Sequence, residues 1–208
     1  MKYGFEREFF VKNRLGEYVE VVGLPKDDCG FLAEARGVPD TSPIIAAHLL
    51  LAEEHRIKLL AKTFDRVDLV IEDVVQLSPE FKRKLLKTYG KSPVSVERGN
   101  MYGRDYSLRD FRSRAGLHVH FSNFQTVSFT IPEKTCNRCG HSPKQKEVPG
   151  IINMPKYILA LDKAFAAEIK AAQRLPGFFE MKPHGFEYRS LPASIDVLKV
   201  AEVLHSLK

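Results

Sequence analysis

The chain has 208 residues, 44% hydrophobic and 28% charged, and its 32 basic against 26 acidic side chains give a formal net charge of +6. This describes one globular domain, or one domain with an insertion, that can bury a core; it excludes collagen-like, disordered and transmembrane chains. The charge admits an anionic partner (nucleotide, nucleic acid or acidic peptide) without demanding nucleic acid, because the acids nearly match the bases.

The opening segment, Met1 to Phe10, lacks the uninterrupted apolar core of a secretory signal. The longest apolar run, Pro43 to Ala52, is interrupted by His48 and followed by Glu53, Glu54 and Arg56, so no membrane span is expected. Three cysteines, Cys29, Cys136 and Cys139, are too few for a disulfide framework and point to a reducing cytoplasm.

In chain order, residues 2–11 and 17–22 read as two strands of a hairpin, joined by a turn over 12–16. A loop over 25–30 precedes a strand over 31–36. Thr41 or Ser42 caps a helix that has Pro43 in its first turn and ends near Thr63, with Ile44, Ala47, Leu51, Ile57 and Leu60 facing the core. A strand over 67–75 follows, then a short basic helix from Ser78 to Tyr89, whose Lys82, Arg83, Lys84 and Lys87 form an exposed side. Residues 91–112 read as a loop, 115–122 and 126–131 as strands, and 132–152 as a polar insertion. A helix over 155–175, a strand over 186–191 and a helix over 195–207 complete the chain. Strands and helices at irregular spacing predict an α+β fold with a largely antiparallel sheet.

One pattern recurs in the strands. Residues i and i+2 of a strand share a face, and four such pairs are polar: Glu6/Glu8, Glu34/Arg36, His118/His120 and Glu187/Arg189. A wet sheet face alone produces alternation, but it draws on Thr, Lys, Ser and Gln. Glu and His in these positions suit metal ions, with carboxylates favouring hard cations such as Mg²⁺ or Mn²⁺, and arginine forks suit phosphate or carboxylate.

Four segments together resemble a family: Gly4-Phe5-Glu6-Arg7-Glu8-Phe9, Asp27-Asp28-Cys29-Gly30 with Glu34-Ala35-Arg36, Gly116-Leu117-His118-Val119-His120-Phe121, and Lys182-Pro183-His184-Gly185-Phe186-Glu187-Tyr188-Arg189. In this order they resemble the phage-type carboxylate–amine ligases (amidoligases) of the glutamine synthetase and glutamate–cysteine ligase superfamily. The resemblance spans nearly the whole chain. It implies a single catalytic domain over 1–208 with a glutamine synthetase-like fold, a curved antiparallel sheet with helices on its convex face. The concave face would hold ATP and Mg²⁺ or Mn²⁺. The resemblance implies metal ligands at Glu6, Glu8, Asp27 or Asp28, Glu34, His118 or His120, and Glu187, with Arg189 on the transferred phosphate. Arg36, Arg174 and Lys182 join Arg189 as expected nucleotide contacts, and Asp28 or Glu34 is the expected acceptor of the amine proton. The partners implied are ATP, a carboxylate substrate and an amine, in a cytoplasm that is the host's if the chain is phage-encoded. Glu180 stands where the family suggests another arginine, a role that Arg174 or Lys182 would take.

The insertion over 132–152 lies outside that family core. Its Cys136-Asn137-Arg138-Cys139-Gly140-His141 resembles one knuckle of a zinc site, with Cys136, Cys139 and His141 as candidate ligands and free thiols as the alternative. Arg104, Arg109, Arg112 and Arg114, interleaved with Tyr102 and Tyr106, form a basic stretch that could dock an anion or lie solvated in a loop. Two other functions compete with the ligase. A metal-dependent hydrolase would use the same Glu and His set, and a nucleic-acid-binding protein would use the basic loop and the knuckle. The second leaves the strand glutamates unexplained, since they repel phosphate without metal.

Overall fold

Alternation in the first strand sorts its residues onto two surfaces. Tyr3, Phe5, Arg7, Phe9 and Val11 fall on one side, and Gly4, Glu6, Glu8 and Phe10 on the other. The computed structural model describes residues 1–26, 32–81, 83, 98–103, 114–122, 126–132, 145–151 and 153–207, with the backbone alone at 126–132, 145–151, Asp65 and Arg98. Its strands are β1 (Lys2–Lys12), β2 (Ala33–Arg36), β3 (Asp68–Val70), β4 (Arg98–Asn100), β5 (Gly116–Ser122), β6 (Thr126–Pro132), β7 (Gln145–Ile151), β8 (Phe178–Lys182) and β9 (Gly185–Pro192). Its helices are α1 (Pro43–Leu60), α2 (Met154–Ala164), α3 (Ala166–Ala171) and α4 (Val197–Ser206), with a π turn over Ala61–Asp65 after α1. The fold is α+β with an open antiparallel sheet, in the order β2-β1-β5-β9-β8-β4; β3 also pairs with β1, and β6 and β7 form a separate two-stranded sheet.

The odd-numbered residues of β1 face the helices. Tyr3, Phe5 and Phe9 join Ala47, Leu50 and Ile57 of α1, Ile158 and Leu161 of α2, and Val200 and Leu204 of α4 in the main core. Phe121 of β5 stacks on Phe186 of β9 with ring centroids 4.4 Å apart. Ion pairing crosses this core once among the described residues: Arg7 Nε lies 3.0 Å from Glu54 Oε1 of α1, and Arg7 donates to the Ile195 carbonyl at 3.0 Å. A second, smaller core closes one end of the opposite face, where Phe10 packs with Leu32, Val75, Leu77, Ala115 and Ala193.

Several expectations change. The 2–11/17–22 hairpin does not develop: Asn13 N donates to Glu17 O, Val19 N donates to Val11 O, and Lys12 and Tyr18 form an isolated bridge, but 17–22 is not a strand. From Phe9 back to Glu6 the pairing of β1 goes to β2 instead. The 67–75 strand shortens to β3. Helix α1 does start at the Ser42 cap, but it buries Ala46, Leu50 and Glu54 rather than Ile44, Leu51 and Leu60, which pack only partly against the core. Apolar residues surround much of α1, so periodicity alone left its inner face open; the Arg7–Glu54 contact lies on the face that is buried. The 155–175 helix breaks at Phe165, whose φ of −119° is not helical. Strand β4 lies within the expected loop and β8 within a stretch assigned no element; β6 is the strand expected at 126–131, and the end of the expected insertion pairs with it as β7. The rest of the basic helix after Ser78, and the basic loop over 104–113, fall outside the described residues.

Candidate metal centre on the carboxylate face

Register places all four polar pairs on one surface of the sheet. Glu6 lies opposite Arg36 of β2 and His118 of β5, Glu8 lies opposite Glu34, and His120 lies opposite Glu187 of β9. Directly opposed residues share a face. The same register adds Glu180 of β8, opposite Glu187, and its strand neighbour Lys182. The helices occupy the other face.

Side-chain geometry gathers these residues into two groups that could each hold a cation: Glu6, His120 and Glu187, and Glu6, Glu34 and His118. Within each group one donor atom per residue lies within 4.8 Å of the others. Glu6 belongs to both. His120 Nε2 approaches Glu6 Oε2 at 3.0 Å, and His118 Nδ1 approaches Glu187 Oε1 at 2.9 Å. Both nitrogens are buried, yet neither completes a hydrogen bond in these contacts. A close nitrogen–oxygen approach off the hydrogen-bond axis is costly when buried, and a cation shared between the two atoms would relieve it. These donor sets fit a divalent ion that accepts oxygen and imidazole nitrogen.

The electrostatics suit such an ion. Burial works to raise the Glu6 carboxyl, but contact with His120 and the charges of His120 and His118 outweigh it and bring it down to about 2. Burial likewise opposes ionisation of Glu187, and the neighbouring His118 and Arg189 overcome it, holding that carboxyl far below its ordinary range. His118, 1% exposed, is pushed down to about 4 by burial and by the charge of Arg189, against the pull of Glu187. It is therefore neutral at pH 7 with a lone pair to donate. Glu34 goes the other way: burial and the charge of Glu6 raise it to about 7, although Arg36 opposes them. Metal coordination and proton acceptance near neutrality are both open to these groups.

The remaining expected site residues divide. Glu8 stands outside both groups; one of its oxygens accepts the Gly116 N–H at 2.6 Å, and His118 Nε2 lies 3.7 Å from the same oxygen. Arg36, Lys182 and Arg189 lie among the carboxylates. Arg174 approaches from the loop after α3 and donates to three carbonyls, Ala115 at 3.0 Å, Ser190 at 3.1 Å and Arg189 at 2.6 Å, which braces the start of β5 against β9. Gly116 makes room for this: a Cβ there would fall 2.8 Å from Arg174 Nη2 and 2.9 Å from His118 Nε2. Asp27, Asp28, Cys136, Cys139 and His141 lie outside the described residues.

Three further residues around the face had no site role in the sequence reading. Glu180 is buried on this face and accepts from Lys182 Nζ at 2.8 Å; its two-residue spacing from Lys182, already an expected contact, is the signal that could have placed it. His184, in the β8–β9 turn, brings Nε2 to 3.3 Å from His120 Nδ1. Asp162 of α2 acts from behind the sheet, accepting from Tyr188 of β9, Tyr102 and the Gly177 amide. A groove of about 760 Å³ beside α2 and α3, lined by Leu159, Lys163, Lys170 and Gln173 among others, includes no residue of either cation group. Among the described residues no helix is long and apolar enough to cross a membrane. No known family model, curated protein or solved structure matches the chain.

Proposed function

We propose that the chain is an ATP- and divalent-metal-dependent carboxylate–amine ligase built on a glutamine synthetase-like sheet. The observation that carries this reading is the pair of cation groups sharing Glu6, set among Arg36, Lys182 and Arg189 on the helix-free face. The strands that supply them are those whose motifs resemble the amidoligases. In the proposed reaction a substrate carboxylate oxygen takes the γ-phosphoryl group of ATP and ADP leaves. An amine then attacks the acyl carbon, phosphate departs, and the amide forms as the nitrogen loses a proton. Glu6, His120 and Glu187, with Glu6, Glu34 and His118, would hold the divalent ions, Mg²⁺ or Mn²⁺. Such ions supply charge neutralisation of the phosphates. Arg189 and Lys182 would stabilise charge developing on the transferred group. The acceptor of the amine proton would be Asp28 or, when it does not ligate an ion, Glu34.

The test is Mg²⁺-dependent ATP consumption across panels of acids and amines, with amide product measured by mass. Consumption should require both substrates, and Glu6→Ala and Glu187→Ala should each lower turnover by about 10²-fold or more. Wild-type turnover in either variant sinks the reading. A second reading draws on the histidine in each group, a donor mix that also suits transition-metal hydrolases. Turnover of an ester, peptide or phosphodiester without ATP would favour it.

A further inference from the structure

Three cationic side chains of the carboxylate face rest on the oxygens that would ligate metal. Lys182 Nζ lies 3.0 Å from Glu187 Oε2 and 2.8 Å from Glu180 Oε1. Arg189 Nη1 contacts Glu187 Oε1 and lies 3.7 Å from Glu180 Oε2. Arg36 Nη2 lies 2.5 Å from Glu34 Oε2, and its Nε lies 3.5 Å from Glu6 Oε1. Glu187 therefore meets a cation at each oxygen. An oxygen lone pair given to a guanidinium or ammonium cannot also bind a divalent ion, so side chain and ion compete for it. The acids are held by β-strand backbone in the sheet, whereas the cations sit on long stems that reach solvent: the side chains of Arg36, Lys182 and Arg189 are 57%, 25% and 24% exposed. Of the competing partners, the cations are the ones able to turn away. The 1%-exposed His118, with its Nδ1 aimed at Glu187 outside hydrogen-bond geometry, independently marks a place for an ion among these oxygens.

We propose that Lys182, Arg189 and Arg36 are exchangeable counter-ions, displaced by a divalent metal and thereby freed to bind a phosphate-like anion, so that metal and anion bind with positive cooperativity. This rests on reading the face as a metal centre, and it makes the anion site a consequence of metal binding. It also settles an apparent conflict. Buried carboxylates alone repel an anion, and the cations that could attract one are occupied until the ion arrives. Linkage makes the effect reciprocal, with each ligand tightening the other by the same factor.

The experiment titrates the full-length chain with Mn²⁺, read by the ion's electron-spin signal, with and without sodium sulfate at matched ionic strength. Sulfate should lower the Mn²⁺ Kd by about 5-fold or more. Lys182→Met should bind Mn²⁺ more tightly than wild type without sulfate, and should gain less from sulfate. Arg36→Gln, on an exposed side chain, repeats the test at the other group. An Mn²⁺ Kd indifferent to sulfate in the wild type, absence of Mn²⁺ binding, or weaker Mn²⁺ binding in Lys182→Met overturns the proposal. Cooperativity without ATP consumption would sink the ligase reading and leave the exchange standing; amide formation with sulfate-indifferent Mn²⁺ binding would do the reverse.

Discussion

The two faces of the sheet bury charge in opposite ways. On the helix face Arg7 Nε approaches Glu54 Oε1 at 3.0 Å without completing a hydrogen bond, Arg7 donates to the Ile195 carbonyl, and Lys58 Nζ lies 3.8 Å from Glu54 Oε2. Burial dominates there: it pulls Glu54 up, against Arg7 and Lys58, and Arg7 down, against Glu54. On the carboxylate face neighbouring charges overcome burial at Glu6 and Glu187 and lose to it at Glu34. One face holds a small ion cluster, Arg7, Glu54 and Lys58, joining strand to helix. The other holds a shared set in which acids, histidines and bases compete.

The sharpest way to break this contrast is Arg7→Met. It leaves Glu54 buried without its arginine and should cost about 3–5 kcal/mol in urea unfolding. Mn²⁺ affinity of the molecules that remain folded should not change; a parallel loss of Mn²⁺ binding would mean that the faces are not independent. A smaller effect sharpens the other side. At pH values below about 7 Glu34 carries a proton that an ion must displace, so Mn²⁺ affinity should climb through the range below neutrality. The slope should approach about tenfold per pH unit for one displaced proton. Glu34→Gln should remove that slope, and a slope that persists would assign the proton elsewhere. The smallest effect serves as a control. Ser42 Oγ accepts from Ile45 N at a long 3.4 Å, so Ser42→Ala should cost no more than about 1 kcal/mol and leave Mn²⁺ binding as it was.

Much of the carboxylate face was legible because its signal is local. Glu6/Glu8, Glu34/Arg36, His118/His120 and Glu187/Arg189 are each two residues apart, and two-residue spacing survives any arrangement of the strands. Which pairs would meet was not legible, because register depends on contacts between distant segments. Glu180 shows the limit: its place opposite Glu187 follows from the β8–β9 hairpin. The turn of that hairpin leads into Gly185, where a Cβ would fall 1.9 Å from the Phe121 carbonyl oxygen. Strand β4 is three residues of Arg98-Gly99-Asn100, a composition poor in β-formers, and only its pairing with β8 makes it a strand. The Arg7–Glu54 pair joins residues far apart in the chain and gave no periodic sign. The false hairpin over 17–22 had valines, a tyrosine and a suitable turn, but β2 took the pairing that it needed.

The pairing of β5 with β9 shifts register between Leu117 and Val119. Val119 faces Tyr188, yet Leu117 faces Leu191, so β9 spends one extra residue over the same distance. In an unbroken two-residue alternation Leu191 would follow Glu187 and Arg189 onto the carboxylate face; the shift in pairing returns it to the core. The irregularity is a phase reset that ends the polar stripe after Arg189. A regular ladder over the same residues would put Ser190 opposite Leu117 and Leu191 on the carboxylate face, so the reach of the site and the filling of the interior are set by the same peptide.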